Sequence, residues 1–435
     1  MLKRKLAKGI YIVCSVCFLQ HQSASAQVDY GSTDTVRLSM EEAEKTFLEK
    51  NLALLAQHYD VEVNKALVQQ AKLWDNPTLN TDQNVYSNNK FFEHGTYPNG
   101  TPYGQYYIQV QQLIKTAGKR GKQVRMAKTN AEISEWQFKD VMRNLRSQLH
   151  QDFYTIAQLQ ASKKLYADEL AQIDRLLTGM NAEFKLGNIA KKDLLRVQAL
   201  QISLLHDATD NDKQLDDTEA ELKTMLQLGA TSYVVPVIDD ESIVPQMPDV
   251  TIPQLMQLAK QNNTTYQLEM LQVKYQQQNL AYQKSLAIPD VTLGPNFDKN
   301  SNYTPNYVGL GISLPLPAFN RNQGNIRSAR WQVKEEETNL QQAELELQNS
   351  IVSAYNKLKF TFNLSSSLHQ SFYKDYSDLY SNVLKSFKDR QISMVAFIDY
   401  FDAYKEARQK QLQQILNVQL AKDELNAQVG TDVIK

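Results

Sequence analysis

The chain has 435 residues, with 47 Lys and Arg against 48 Asp and Glu. That near balance of charge excludes a general nucleic-acid binder, and the length admits two or three ordinary domains. The two cysteines, Cys14 and Cys17, both lie close to the N-terminus, so the rest of the chain carries neither disulfide nor thiol chemistry.

The N-terminus reads as a secretory signal peptide. Lys3, Arg4, Lys5 and Lys8 precede an apolar run over 10–19 and the small-residue site Ala24-Ser25-Ala26, which places cleavage after Ala26. The run is too short to cross a bilayer as a helix, for which about 20 residues are needed, and neither cysteine has the surroundings of a lipid anchor. Removing the leader takes away four of the 47 basic residues and no acidic one, leaving 43 against 48, a net charge of −5. These features place the chain in an envelope compartment.

Every proline falls in one of three windows, 77–102, 236–253 and 289–317. Because proline costs about 3 kcal/mol in a helix interior, the intervening stretches admit very long helices, and glycine is absent over 122–178 and 325–429. The chain reads as a duplicated plan. Residues 27–228 form a first repeat of helix, β-hairpin and long helices, 229–253 a linker, and 254–435 a second repeat. AKLWDNPTLN (71–80) and YYIQVQQL (106–113) are answered by QKSLAIPDVTLG (283–294) and YVGLGISLPL (307–316). Asn51 matches Asn262, Tyr107 matches Tyr307, and LQLG (226–229) matches AQVG (427–430).

In the long helices, Leu145, Leu149, Phe153 and Ile156, and Leu347, Ile351, Ala354 and Leu358, step by four and three as a coiled-coil seam does. Unbroken, the run over 122–184 makes a rod of roughly 95 Å. The β windows alternate with period two: Val308, Leu310, Ile312 and Leu314 oppose Tyr307, Gly309, Gly311 and Ser313, while Ile108 and Val110 oppose Tyr107, Gln109 and Gln111. Turn residues over 94–102 and 298–306 mark the hairpin tips. Such strands suit either a transmembrane β-barrel or a soluble hairpin with one buried face; the signal peptide, the terminal tyrosines and the rods favour the barrel. In that reading Ile108, Val110, Val308, Leu310, Ile312 and Leu314 face lipid. Four strands cannot close a barrel, so the chain must oligomerise.

KTAGKRGKQVRMA (115–127) and LPLPAFNRNQGNIRSAR (314–330) closely resemble the TolC-like outer-membrane efflux proteins, particularly the CzcC-like heavy-metal branch, and the likeness covers about 38–430. The resemblance implies a mainly α chain with a membrane β part: a homotrimer whose twelve-stranded β-barrel, four strands per chain, continues into a long α-helical barrel. It implies an outer-membrane location in a Gram-negative bacterium and partners in a periplasmic adaptor, an inner-membrane efflux transporter and outer-membrane lipid. The implied function is a passive exit duct for metal cations or drugs and not an enzyme. The same architecture also serves type I protein secretion, and a periplasmic adaptor is the alternative of another class.

FKLGNIAKKDLL (184–195) matches the family's helical tip, and FKDRQISMVAFIDYFDAY (387–404) is its counterpart without the glycine, whose place Asp389 or Gln391 would take. The resemblance assigns adaptor contact to Leu186, Gly187, Arg390 and Ile392 and a periplasmic gate to Asp193, Asp399 and Asp402, with Asp193 at the place matching the other two. Composition alone makes such aspartates a solvated face. The basic run Lys115, Lys119, Arg120, Lys122, Arg125 and Lys128 lacks the spacing of a phosphate loop and reads either as an inner rim meeting lipid phosphates or as solvated charge. His21, His58, His94, His150, His206 and His369 are scattered without metal-ligand spacing, so surface or packing roles are expected and no cofactor or metal site is assigned.

Overall fold

The structure, a computed structural model, describes residues 34–87, 89–238, 247, 250–367 and 370–434; the signal peptide expected over 1–26 and part of the expected linker lie outside them. β1 (Thr35–Ser39) leads into α1 (Met40–Lys50), where Ser39 and Glu42 form a reciprocal capping box. Asn51 then ends α1 and caps α2 (Leu52–Ala71), accepting from the Leu54 amide at 3.0 Å. After α2 come β2 (Thr78–Gln83), the ladders β3 (Tyr86–Ser87) with β4 (Lys90–Phe91) and β5 (Gly95–Thr96) with β6 (Pro102–Tyr103), and then β7 (Tyr106–Ile114). α3 (Lys119–Lys185) has 67 residues, which at 1.5 Å each is a rod of about 100 Å. It turns into α4 (Lys191–Leu226). β8 (Tyr233–Val237) follows inside the stretch expected as linker and pairs in parallel with β1, burying Val234.

The second half repeats these devices. Thr251 and Gln254 box the start of α5 (Ile252–Asn262), and Asn263 caps α6 (Thr264–Leu286), accepting from Tyr266 at 3.0 Å. β9 (Val291–Asn300) and β10 (Pro305–Ser313) form the second hairpin, followed by α7 (Gln323–Ser367), α8 (Gln370–Lys388) and α9 (Met394–Val429). Each capping asparagine donates to a carbonyl late in a long helix: Asn51 to Met225 at 3.0 Å, Asn263 to Gln428 at 2.9 Å. The residue matching Asn51 is therefore Asn263, not Asn262, whose amide is spent on Leu258 within α5. Likewise, the left-handed residues that end α4 and α9 are Gln227 and Gly430, so Gln227 rather than Gly229 matches Gly430.

Three apolar clusters hold the helices. Phe47, Leu149, Phe153, Ile156 and Leu222 join α1, α3 and α4; Leu255, Leu347, Ile351, Ala354, Leu358 and Leu425 join α5, α7 and α9; Ile173, Val197, Leu204, Phe397 and Phe401 join the far ends of α3, α4 and α9. Each fully buried Leu, Ile or Phe contributes about 1.5–3 kcal/mol, which explains why the 3.5-residue seam is the buried line of each rod. Among the described residues no helix is long and apolar enough to cross a membrane.

Candidate channel surfaces and helical tips

The four long strands form one antiparallel sheet in the order β10-β9-β7-β2. Its register collects side chains into two unlike faces. Leu79 lies opposite Val110, and Leu310 opposite Pro295; Ile108 and Val308 both lie opposite Phe297; Ile312 lies opposite Leu293. Val110, Val308, Leu310 and Ile312 are exposed, Ile108 is half-buried, and Leu314 is exposed one residue past β10. Leu79, Leu293 and Phe297 join this face although they were not singled out in the sequence; their signal was the same alternation in TLNT and VTLGPNF.

The other face is polar and small. Asn80, Gln109, Asn296 and Gly309 form one row across it, Asp82, Tyr107, Asp298 and Tyr307 another. Gln111 donates to Gln109 at 2.8 Å, and Gln105 to Asp298 at 3.2 Å. Gly309 makes room here: a Cβ would stand 2.5 Å from the Tyr307 ring. β2 and β10 are open edges, presenting unpaired backbone groups.

At the opposite end of the rods the two helical tips have the same turn. Gly187 donates to Phe184 at 2.9 Å and Asn188 to Glu183 at 2.9 Å; Arg390 donates to Phe387 at 3.0 Å and Gln391 to Ser386 at 2.8 Å. Both are Schellman closures, which need a left-handed residue. Gly187 supplies φ +75° in the first, and Arg390, at φ +60°, takes the place in the second that Asp389 or Gln391 was expected to fill. The Arg390 guanidinium pairs with Glu183, whose other contact is the Asn188 amide at 2.9 Å, so the side chain ties the two tips together. Leu186 is 72% exposed, whereas Ile392 is half-buried against the cluster around Phe397.

The sequence profile of the outer membrane efflux proteins matches residues 45–227 and 255–363. The chain belongs to that family. The efflux protein is 20% identical over 365 residues to the cobalt-zinc-cadmium resistance protein CzcC of Cupriavidus metallidurans, spanning 82% of this chain and 83% of that one. Its fold is like that of CusC, with a TM-score of 0.73 and 14% identity over 92% of this chain and 94% of CusC. It is likewise similar to the Campylobacter jejuni outer-membrane channel CmeC, with a TM-score of 0.73 and 12% identity over 90% and 86% of the two chains. The efflux protein thus has the β-barrel plus α-barrel architecture of outer-membrane exit ducts, with its sheet and rods as one chain's share.

In this efflux protein Asp399 and Asp402 are exposed on α9, while Phe397, Phe401 and Tyr404 of that helix are buried. Asp193 is half-buried in the first turn of α4, where a carboxylate complements the helix dipole. The matched turns set Gly187 on Arg390 and the helix-opening Ala190 on Ser393. In that register Asp193 falls on Ala396, so it does not occupy the place matching Asp399 and Asp402.

Two charged groups were missed because their partners are far apart in sequence. His150 of α3 lies 2.5 Å from Glu44 of α1 and 3.0 Å from Asp423 of α9, while Arg146 pairs with Glu44 at 2.8 Å and with Asp432 at 3.2 Å. Burial disfavours charge on His150, but Asp423 and Glu44 outweigh it and hold its pKa up at about 9. Burial also opposes the charge on Glu44, and His150 and Arg146 overcome it, bringing that pKa down to about 2. Farther along α3, Glu169 is 1% exposed with neither carboxyl oxygen hydrogen-bonded. Burial raises its pKa to about 8 despite the nearby Lys405, which favours the neutral form between the rods.

Proposed function

We propose that the protein is a homotrimeric, passive exit duct of a tripartite efflux pump, working with a periplasmic adaptor and an inner-membrane transporter in a Gram-negative envelope, and that it is not an enzyme. The observation that carries this reading is the open four-stranded sheet, apolar on one face and polar on the other, joined to rods of about 100 Å. Backbone edges exposed to lipid are costly, so β2 and β10 require neighbours, and three copies make twelve strands. The apolar row of Ile108, Val110, Val308, Leu310 and Ile312, extended by Leu314, then meets lipid, and the Gln109–Tyr307 face lines the lumen. Along α2, Leu52, Leu55, Tyr59, Val63 and Leu67 step by three and four and are exposed, which suits a helix of the next chain.

In this assembly Leu186, Gly187, Arg390 and Ile392 stand at the adaptor end, and Asp193, Asp399 and Asp402 near a periplasmic gate. The cargo class is metal cations, supported by the likeness to a cobalt-zinc-cadmium resistance protein. A strain lacking the protein should lose tolerance to zinc, cobalt or cadmium and keep its tolerance to dyes and antibiotics; the reverse pattern overturns the cargo assignment. Purified protein in planar bilayers should form a cation-preferring pore, and absence of conductance would refute the duct itself.

A further inference from the structure

α3 and α7 both carry basic residues near their starts just below the sheet; on the α3 side four of the six, all but the exposed Arg125 and Lys128, are spent inside the chain. On the α3 side, Lys115 pairs with Asp75 at 3.1 Å and the buried Lys119 with Asp290 at 2.6 Å. Arg120 lies 3.9 Å over Trp74 and donates to the Lys72 carbonyl at 3.1 Å, and Lys122 donates to the Ala117 carbonyl at 2.7 Å. On the α7 side Arg321, Arg327, Arg330 and Lys334 are all exposed. The ion pairs between neighbouring helices, Lys260–Glu344, Lys274–Glu132 and Lys357–Glu424, leave them untouched, and among the described residues none of the four has a carboxylate partner. Arg321 spends one N–H on the Pro317 carbonyl at 3.2 Å. With Trp331 the four line an open groove of about 540 Å³.

The groove continues the apolar face of the sheet. Below Val308, Leu310 and Ile312 the chain passes through Leu316 and Phe319, which are 81% and 96% exposed, before reaching Arg321. At 1.5 Å per residue, Arg327 and Arg330 lie within about 10 Å of the start of α7. A headgroup layer is roughly 5–8 Å deep, and basic side chains reach several ångströms toward it. The sign of charge then reverses at Glu335, Glu336 and Glu337, which confines the basic surface to the first turns. Lys334 stands 5.9 Å over the Trp331 ring, an arrangement of cation and amphipathic ring suited to an interface.

Building on the barrel reading, we propose that this groove, formed by Arg321, Arg327, Arg330, Lys334 and Trp331, binds the phosphate headgroup of an anionic phospholipid in the leaflet facing the periplasm. Guanidinium groups bind phosphate through paired, charge-assisted hydrogen bonds. The unspent charges make the site selective for anionic over zwitterionic lipid by roughly fivefold per charge at low salt.

The test uses the full chain with Trp74→Phe and Trp136→Phe, which leaves Trp331 as the reporter, reconstituted with brominated phosphatidylglycerol or, at equal mole fraction, brominated phosphatidylcholine. Trp331 should be quenched by the anionic lipid with an apparent affinity at least roughly tenfold higher than by the zwitterionic one. High salt should bring the two lipids together, and Arg327→Gln with Arg330→Gln should cut the preference by roughly tenfold or more, Arg321 and Lys334 keeping the remainder. Equal quenching in the parent protein, or a preference left unchanged by the double substitution, overturns the proposal. A companion protein carrying Leu310→Trp with Trp74→Phe, Trp136→Phe and Trp331→Phe reports the barrel face. If that reporter is quenched while Trp331 is untouched by either lipid, the groove is covered by another chain or faces water: the lipid site fails and the barrel stands. If neither reporter is quenched, the barrel reading fails and takes the site with it.

Discussion

Arg390 occupies a left-handed backbone position that costs a non-glycine residue about 1–2 kcal/mol, and its side chain offsets this by reaching Glu183 on the other tip. Gly187 has no such compensation: a side chain there meets nothing within 4 Å, so a substitution carries the conformational cost alone. Gly187→Val should destabilise the first tip by about 1–2 kcal/mol and impair adaptor docking, read as lost metal tolerance at unchanged protein level and unchanged resistance to carbonate extraction. Normal tolerance in that strain would remove Gly187 from the docking tip. The tip glycine was legible because turn chemistry favours it; Arg390 was not, because its reason is a carboxylate on a distant segment.

The His150 network makes a second prediction at the same scale. His150 has a folded pKa of about 9 against an ordinary 6.5, so its contribution is complete below pH 6.5 and is lost as pH rises through 9. Glu44, at about 2 against 4.5, contributes fully above pH 4.5 and loses its share as pH falls toward 2. The difference in melting temperature between the parent and His150→Gln should therefore be largest between pH 4.5 and 6.5 and shrink toward pH 9, the full effect being on the order of 3 kcal/mol. A difference that does not change over pH 6–10 would contradict the charged pairing.

Among the elements, the sheet carries the clearest asymmetry. Leu310→Arg places a charge on the apolar face, where a mid-bilayer cation costs about 2–4 kcal/mol, and should lower the carbonate-resistant fraction. Gln109→Arg, on the polar face of the neighbouring hairpin, should insert normally and change only conductance. Equal insertion of both variants would mean that the faces are not divided between lipid and lumen. Alternation of Val308, Leu310 and Ile312 made this division readable, since period two survives in a two-sided strand. The β1–β8 pair was not readable: both strands have only five residues, and their parallel pairing spans nearly the whole first half. The repeat was legible, yet its register slipped by one at Asn263 because hydrogen bonds to Gln428, and not residue type, distinguish that position from Asn262.

For the whole molecule, three copies would bring six exposed carboxylates, Asp399 and Asp402 from each chain, toward the adaptor end of the tunnel. Like charges at a constriction raise the local negative potential, so replacing both by Ala should reduce cation selectivity in planar bilayers and weaken block by trivalent cations. Unchanged selectivity and block would return them to a solvated helix face. Asp193→Ala should have the smaller effect on conduction, because its place is the dipole of α4. All of this depends on the proposed closure of the barrel by three chains, which would pair the sheet's two open edges. The most direct test is the mass of the purified mature protein in mild detergent, measured by light scattering with the detergent contribution subtracted: a closed barrel gives three chains per particle, and a stable monomer retaining its full strand content would contradict barrel closure.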